Sequence, residues 1–330
     1  MNDPTTNPSR RALSWKLSEA CESLTTAHDL LRFCHSRLAE SALCFRSGMG
    51  SAAAEASFLL HEALALEPGE LVGYEPTKLL AEERIRVLEA LKERLETHKP
   101  MAYILGVTWY CGLRLCIDER ALIPRSAIGT MLEDRFELED PAGAHHILDL
   151  GTGSGAIALA FAASFPESQV IATELSAAAL AVARQNVQLH GLERRIELRQ
   201  SDVFSALYGE TFDWILCNPP YVSEDFREHM SQEYRYEPAM ALFGGVDGLD
   251  LPRRLLRAAA AHLRPGGRVF MELGDITSAR FAELTPGLEC DWWCHPESGE
   301  PVVVSLDAAQ ATVAARALDA ELGRPGSAGS

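Results

Sequence analysis

From residue 145 onward, short apolar runs alternate with helix-spaced ones, and that alternation leaves the chain few folds. Residues 146–150, 169–174, 196–200 and 213–217 read as strands, with helices over 156–164 and 177–190. A further helix is expected over 251–263, with Pro252 in its first turn, where proline is tolerated. Pro265-Gly266-Gly267 then turns into a strand over 268–273, and two last strands fit near Cys290 and over 301–305. Strands separated by helices cannot pair as simple hairpins. They form a mostly parallel sheet covered on both faces, so the fold class is α/β.

Upstream the period changes. Residues 14–98 read as helices: Leu30, Leu31, Phe33, Cys34 and Leu38 recur at helical spacing, as do Phe58, Leu59, Ala63 and Leu66. Residues 77–97 form a third helical segment, with Leu79, Leu80, Ile85, Leu88, Leu91 and Leu95 on one face. Pro100 ends this region. Tyr103, Trp109, Tyr110, Leu113, Leu115 and Ile117, with a turn offered by Gly112, read as a hairpin-like linker. Residues 1 to about 12 look disordered, and the tail from Ala308 ends in Gly, Pro and Ser and reads as loose.

Composition narrows the partners. The net charge of −17 argues against broad docking on a nucleic-acid backbone, which needs a basic stripe, and suits a basic partner or simple solubility. No apolar run is long enough to span a bilayer, and the first residues lack the apolar core of a signal peptide, so a cytoplasmic location is expected. The eight cysteines include no CxxC pair; buried free thiols are expected, and no metal site.

Asp149-Leu150-Gly151-Thr152-Gly153-Ser154-Gly155 follows the first strand and opens a helix. Glycines there let the backbone turn sharply and approach a ligand. The spacing is GxGxG and not the dinucleotide GxGxxG, which weakens a nicotinamide reading. Glu174 ends the second strand about 20 residues on, where a carboxylate accepts hydrogen bonds from the hydroxyls of an adenosyl ribose. Asp202 follows the third strand, where an acid can meet an adenine edge; a plain helix cap is the simpler role. Asp149 serves the same site or only braces its loop.

Asn218-Pro219-Pro220-Tyr221 follows the fourth strand and is the most specific signal in the chain. A nitrogen conjugated to a π-system is a poor nucleophile, because its lone pair is delocalised. Two acceptors on its N–H bonds hold it with the lone pair aimed at an electrophile. Asn218 can supply a side-chain oxygen and Pro219 a backbone carbonyl. The paired prolines stiffen the loop, and Tyr221 offers an aromatic wall for a flat group.

With those residues in view, the chain resembles the glutamine N5-methyltransferases over nearly its whole length. The resemblance implies S-adenosylmethionine as cofactor and a Rossmann-like, seven-strand class I methyltransferase domain behind a helical N-terminal domain and a hairpin linker. It implies a substrate-recognition domain over 1–100, the linker over 101–144, the methyltransferase domain over 145–307 and a loose tail over 308–330. Asp149, Gly151, Thr152, Gly153, Gly155, Glu174, Asp202, Val203 and Asn218 would bind the cofactor. Asn218 and Pro219 would hold a glutamine amide, Pro220 would stiffen their loop, Tyr221 would line the pocket, and Arg125 would stand at the substrate channel, though it can as well pair with a surface acid.

Within that family, Ile123-Pro124-Arg125-Ser126-Ala127-Ile128-Gly129 is similar to the group acting on large-subunit ribosomal protein three, where release-factor enzymes have a Pro-Arg-Pro-Glu-Thr-like segment. Asp118-Glu119-Arg120, Glu233-Tyr234-Arg235-Tyr236-Glu237-Pro238 and Gly245-Val246-Asp247-Gly248-Leu249 fit the same group. The implied partner is thus a basic ribosomal protein, with no stable nucleic acid and no membrane. Two departures stand out: Glu174 is one methylene longer than the usual Asp, and Glu297-Ser298-Gly299-Glu300-Pro301 lacks the expected Gly-Gly-Asp-Gly look. Four alternatives remain at this point: a release-factor methyltransferase, a paralogue acting on another amide or small molecule, a DNA adenine N6-methyltransferase using the same loop on a flipped base, and a non-catalytic ribosome assembly factor.

Overall fold

The structure is a computed structural model that describes residues 15–46, 48–67, 69–133, 145–296 and 298–322. The expected disorder of residues 1–12 and the end of the linker, 134–144, lie outside them. The chain divides into two compact units, Met1–Gly106 with Ser231–Tyr236, and Val107–Met230 with Glu237–Ser330. The sequence-based boundary at 100 therefore falls one short helix early, and it misses a segment that lies far along the chain.

The first unit is helical: α1 (Leu17–Ser23), α2 (Ala27–Glu40), α3 (Ala52–Ala63), α4 (Leu71–Tyr74), α5 (Ala81–Thr97) and α6 (Met101–Leu105). Thr26 opens α2 with a capping box, its hydroxyl accepting from the Asp29 N–H while the Asp29 carboxylate accepts from the Thr26 N–H. Leu30, Cys34 and Leu38 are fully buried at spacings of one turn, as that periodicity demands. The third segment starts later than its apolar pattern suggests. Leu79 N–H donates to the Thr25 carbonyl and Lys78 bridges to Thr26, so the chain is extended until Ala81. Leu80 and Ile85 are exposed, and the buried face of α5 runs instead through Val87, Leu88, Leu91 and Arg94.

Arg94 is the charged centre of this unit. Its guanidinium donates to Glu55 at 2.7 Å, to Glu233 at 3.4 Å and to the Cys44 and His98 carbonyls. Arg94, Glu55 and Glu233 are all at most 2% exposed. A buried charge stripped of its partner costs about 3–5 kcal/mol, so this cluster fixes Ser231–Tyr236 to the helices.

The second unit opens with a hairpin, β1 (Val107–Tyr110) and β2 (Leu113–Cys116). Cys111 and Gly112 both have positive φ, 49° and 69°, the geometry of a tight two-residue hairpin turn. After α7 (Ala127–Glu133) come β3 (His146–Leu150), α8 (Ala156–Ser164), β4 (Gln169–Glu174), α9 (Ala177–Leu189), β5 (Ile196–Gln200) and β6 (Phe212–Cys217). The chain continues through α10 (Ala239–Leu242), α11 (Asp250–His262), β7 (Leu263–Glu272), α12 (Asp275–Leu284), β8 (Asp291–Cys294), β9 (Pro301–Asp307) and α13 (Ala308–Leu322).

The sheet has seven strands in the order β5-β4-β3-β6-β7-β9-β8, parallel except for the antiparallel pairings of β9. Alternate residues face opposite layers: Ile147, Trp214, Leu216 and Phe270 pack with α8, and Leu148, Ile215, Cys217 and Met271 with α11 and α13. The strand order reverses between β3 and β6, and the carboxyl ends beside that reversal are where open α/β sheets bind ligands.

The tail expected to be loose from Ala308 is helical to Leu322. Ala311, Ala314 and Leu318 are fully buried, and the Leu318 carbonyl accepts from Arg253. Small alanines at one-turn spacing make an apolar stripe that composition alone does not betray. Within that tail, only the residues beyond 322, where Gly, Pro and Ser gather, lie outside the described residues. All eight cysteines are free, but only Cys34 and Cys217 are buried and Cys294 is exposed, so the expected burial holds for part of the set.

Candidate active site

At the carboxyl ends of β3, β4, β5 and β6 lies a cavity of about 350 Å³, within the roughly 300–1,000 Å³ of small-molecule sites. Its floor is the glycine loop. Gly151 and Thr152 N–H groups donate to the Thr173 carbonyl at 2.8 and 2.9 Å, which folds the loop back over β4. Gly151, Gly153 and Gly155 all have positive φ. A β-carbon on Gly155 would come within 3.3 Å of Ala183, so this glycine also lets α8 and α9 approach.

Glu174 faces the cavity from the end of β4. One carboxylate oxygen accepts from Gly153 N–H at 3.0 Å and the other from Ser176 N–H at 2.9 Å. Each keeps lone-pair capacity for a further donor. Asp149 does not line the cavity. It is fully buried beneath the loop, where it accepts from the Thr152 hydroxyl at 2.6 Å and Ala158 N–H at 3.0 Å. Burial pushes its carboxyl up to about 7 against those two bonds. Of the two roles open to it in the sequence, bracing the loop is the one its position supports.

Ser201, Asp202 and Val203 line the cavity after β5, with Val203 at φ 52°. Asp202 is half exposed and pairs with Arg254 at 2.7 Å. Asn218 lines the cavity at the end of β6, and its side-chain oxygen is buried with no protein partner. A buried acceptor without a donor costs free energy unless a ligand supplies one. Pro220 also lines the cavity; Pro219 and Tyr221 do not. Pro219 is buried. The Tyr221 ring lies so close over Gly274 that a β-carbon there would sit 2.7 Å from it, and its carbonyl accepts from Thr277 Oγ1 at 2.9 Å. The half-buried Tyr221 ring thus packs over Gly274 and is not among the residues that line the cavity.

The other end of the cavity comes from the linker and from residues 238–254. Arg125 lines it and bonds at 2.8 Å to Glu237, whose side chain is wholly buried. Burial raises the Glu237 carboxyl, and Arg125 and Ile123 N–H oppose that shift. Next to Arg125, the Ser126 hydroxyl and Ala127 N–H donate to Glu272 at 2.5 and 2.8 Å, and Tyr110 Oη donates to the Ser126 carbonyl at 3.1 Å. Glu272 is pushed up to about 7 by burial. Asn186, also fully buried, joins the Cys116 backbone to the Ser154 carbonyl and so ties the hairpin to the glycine loop. Sequence reasoning gave no role to Glu272 or Asn186, and it singled out Glu237 only as part of the Glu233–Pro238 segment.

Residues 131–235 match the Methyltransferase small domain and residues 29–106 the PrmC N-terminal domain. A ribosomal protein uL3 glutamine methyltransferase of Bordetella pertussis is 38% identical over 86% of this chain and 95% of its own length. Proteins of the same description from Bradyrhizobium diazoefficiens and Neisseria meningitidis serogroup B are 37% and 40% identical over 87% and 81% of this chain, and over 92% and 89% of their own lengths. The chain belongs to the ribosomal protein uL3 glutamine methyltransferase family. Its sheet order and glycine loop are accordingly those of a class I methyltransferase. Among the described residues no group of three or more His, Cys, Asp or Glu is arranged to hold a metal, and no helix is long and apolar enough to cross a membrane.

Proposed function

We propose that this protein transfers the methyl group of S-adenosylmethionine to the side-chain amide nitrogen of a glutamine in large-subunit ribosomal protein uL3. The observation that carries the reading is the unpartnered Asn218 oxygen facing the cavity. An acceptor left buried there is matched by an amide N–H.

The residues present suit the cofactor. Gly151 and Gly153 bring backbone to the cavity wall, Glu174 has lone pairs left for two ribose hydroxyls, and Leu150, Ile157, Leu175 and Val203 give an apolar bed. The bound donor supplies a methyl on a cationic sulfur, already activated. That methyl would pass to the amide nitrogen as its bond to sulfur breaks, leaving a neutral thioether, and the nitrogen would then give its proton to solvent. The Asn218 oxygen holds one N–H of the amide and turns the lone pair towards the methyl; the backbone carbonyl of Pro219 is read as holding the other. Catalysis by positioning of this kind needs no tuned general base.

The substrate's identity is supported by the names of the relatives and by charge. A chain of net charge −17 is drawn to a free basic protein and repelled by ribosomal RNA, which favours a reaction before or early in assembly. The helical unit is read as the part that recognises the protein substrate.

The test offers methyl-labelled S-adenosylmethionine with free uL3 or with a release factor and locates the label by mass spectrometry. One methyl on a uL3 glutamine and none on the release factor is expected. Asn218→Ala should abolish it while calorimetry still finds cofactor binding. Label on the release factor alone, or on mature large subunits faster than on free uL3, would overturn the reading.

A further inference from the structure

The cavity that Asn218 lines also holds a second aromatic ring, next to the proline loop. Phe243 lines the same cavity as Asn218 and Pro220. Its backbone is registered against the loop: Val222 bridges in parallel to Phe243, Val222 N–H donates to the Leu242 carbonyl at 2.9 Å, and Gly244 N–H donates to the Val222 carbonyl at 2.9 Å. Gly244 makes this possible, because a β-carbon there would overlap the Pro220 carbonyl oxygen. The Arg227 guanidinium lies 3.8 Å from the centroid of the Phe243 ring and is itself held by both oxygens of Glu224 at 2.9 and 3.1 Å. A cation at that distance is attracted to the ring and caps one face.

We propose that Phe243 is the wall against which the acceptor amide stacks, and that Arg227 is a positioning residue that holds this ring in place. The proposal rests on the reading of the site as an amide methyltransferase. It gives Phe243 the part that the sequence assigns to Tyr221. Arg227 and Glu224 are about half exposed, so their contribution is smaller than that of the ring.

Steady-state kinetics with free uL3, together with cofactor binding by calorimetry, tests it in Phe243→Leu, Phe243→Tyr and Arg227→Ala. Leucine keeps the apolar bulk and loses the flat face; tyrosine keeps the face. Phe243→Leu should lower kcat/KM for the acceptor about tenfold, Phe243→Tyr should restore most of it, and Arg227→Ala should lower it about threefold. Cofactor affinity should stay within about twofold of the parent's in all three, a result that a merely structural role for the ring would not give. Leucine as active as the parent, or a loss of cofactor binding in step with activity, overturns the proposal. A parent enzyme that binds the cofactor yet leaves uL3 unmethylated removes the functional reading, and the proposal with it.

Discussion

At the glycine-loop end of the cavity, the groups come from short stretches that follow successive strands: Gly151–Ser154 after β3, Glu174 at the end of β4, and Ser201–Val203 after β5. At the acceptor end they come from Arg125 in the linker, Asn218 after β6 and Phe243 beyond two 3-10 turns. Buried carboxylates from still other segments, Glu237 and Glu272, hold the linker in position. The first end is a local motif on a rigid sheet edge. The second is an assembly whose parts are fixed to one another by ion pairs and glycine-permitted backbone contacts. Damage at the first should thus appear as lost cofactor affinity, and damage at the second as lost turnover with the cofactor still bound.

The largest effect that would break this contrast is expected at Gly244. Gly244→Ala forces the proline loop away from the Phe243 segment, because the new β-carbon would meet the Pro220 and Gly248 carbonyl oxygens. Misplacement on the ångström scale lowers turnover about 100-fold. Cofactor affinity measured by calorimetry should change little; a parallel loss of both would show that the two ends are not separable.

Glu174→Ala is the converse. It removes the acceptor of Gly153 N–H and the carboxylate facing the cavity, and should raise the cofactor dissociation constant about tenfold or more. Turnover at saturating cofactor should largely return. If saturation does not restore it, Glu174 acts on the acceptor end as well.

Arg125→Ala tests the hold on the linker. It leaves the wholly buried Glu237 without its ion-pair partner and should cost about 1–3 kcal/mol in denaturant unfolding. Arg125→Ala with Glu237→Gln should recover part of that loss. A double variant no better than the single one would mean that Arg125 serves the substrate alone.

The smallest effect concerns pH. Burial keeps Asp149 protonated in the folded chain up to about 7, whereas the unfolded chain ionises near 3.8. Between those values only the unfolded state has released the proton. The stabilising contribution is complete below the lower value and is lost as pH rises through the upper one. Asp149→Asn removes that loss, so its melting temperature should gain a few degrees on the parent's between about pH 4 and about pH 7. A constant difference across that range would show that Asp149 is ionised in the fold.

Much of the fold was legible because it is written in periods. The strands over 146–150, 169–174 and 196–200 and the helix over 156–164 stand where the apolar pattern sets them, since a two-residue repeat and a helical repeat bury different faces. The helix over 81–97 was misread at its start, because pairing of Lys78 with Thr26 is a contact between segments that no local pattern encodes. The helix over 308–322 was missed because alanine signals neither a core nor a loop until a neighbour covers it.

The site divides in the same way. The glycine loop, Glu174 and Asn218 are tied to the ends of strands, so sequence alone determined both their presence and the end of the sheet they occupy. Tertiary structure alone decided which way each side chain points. Tyr221 follows the prolines as the motif requires, yet its ring packs over Gly274 and Thr277 holds its backbone carbonyl. Phe243 reaches the cavity because Gly244 permits the close approach of two backbone segments. Spacing along a chain fixes where a residue starts from; what it finally touches is set by partners whose distance in sequence carries no information about their distance in space.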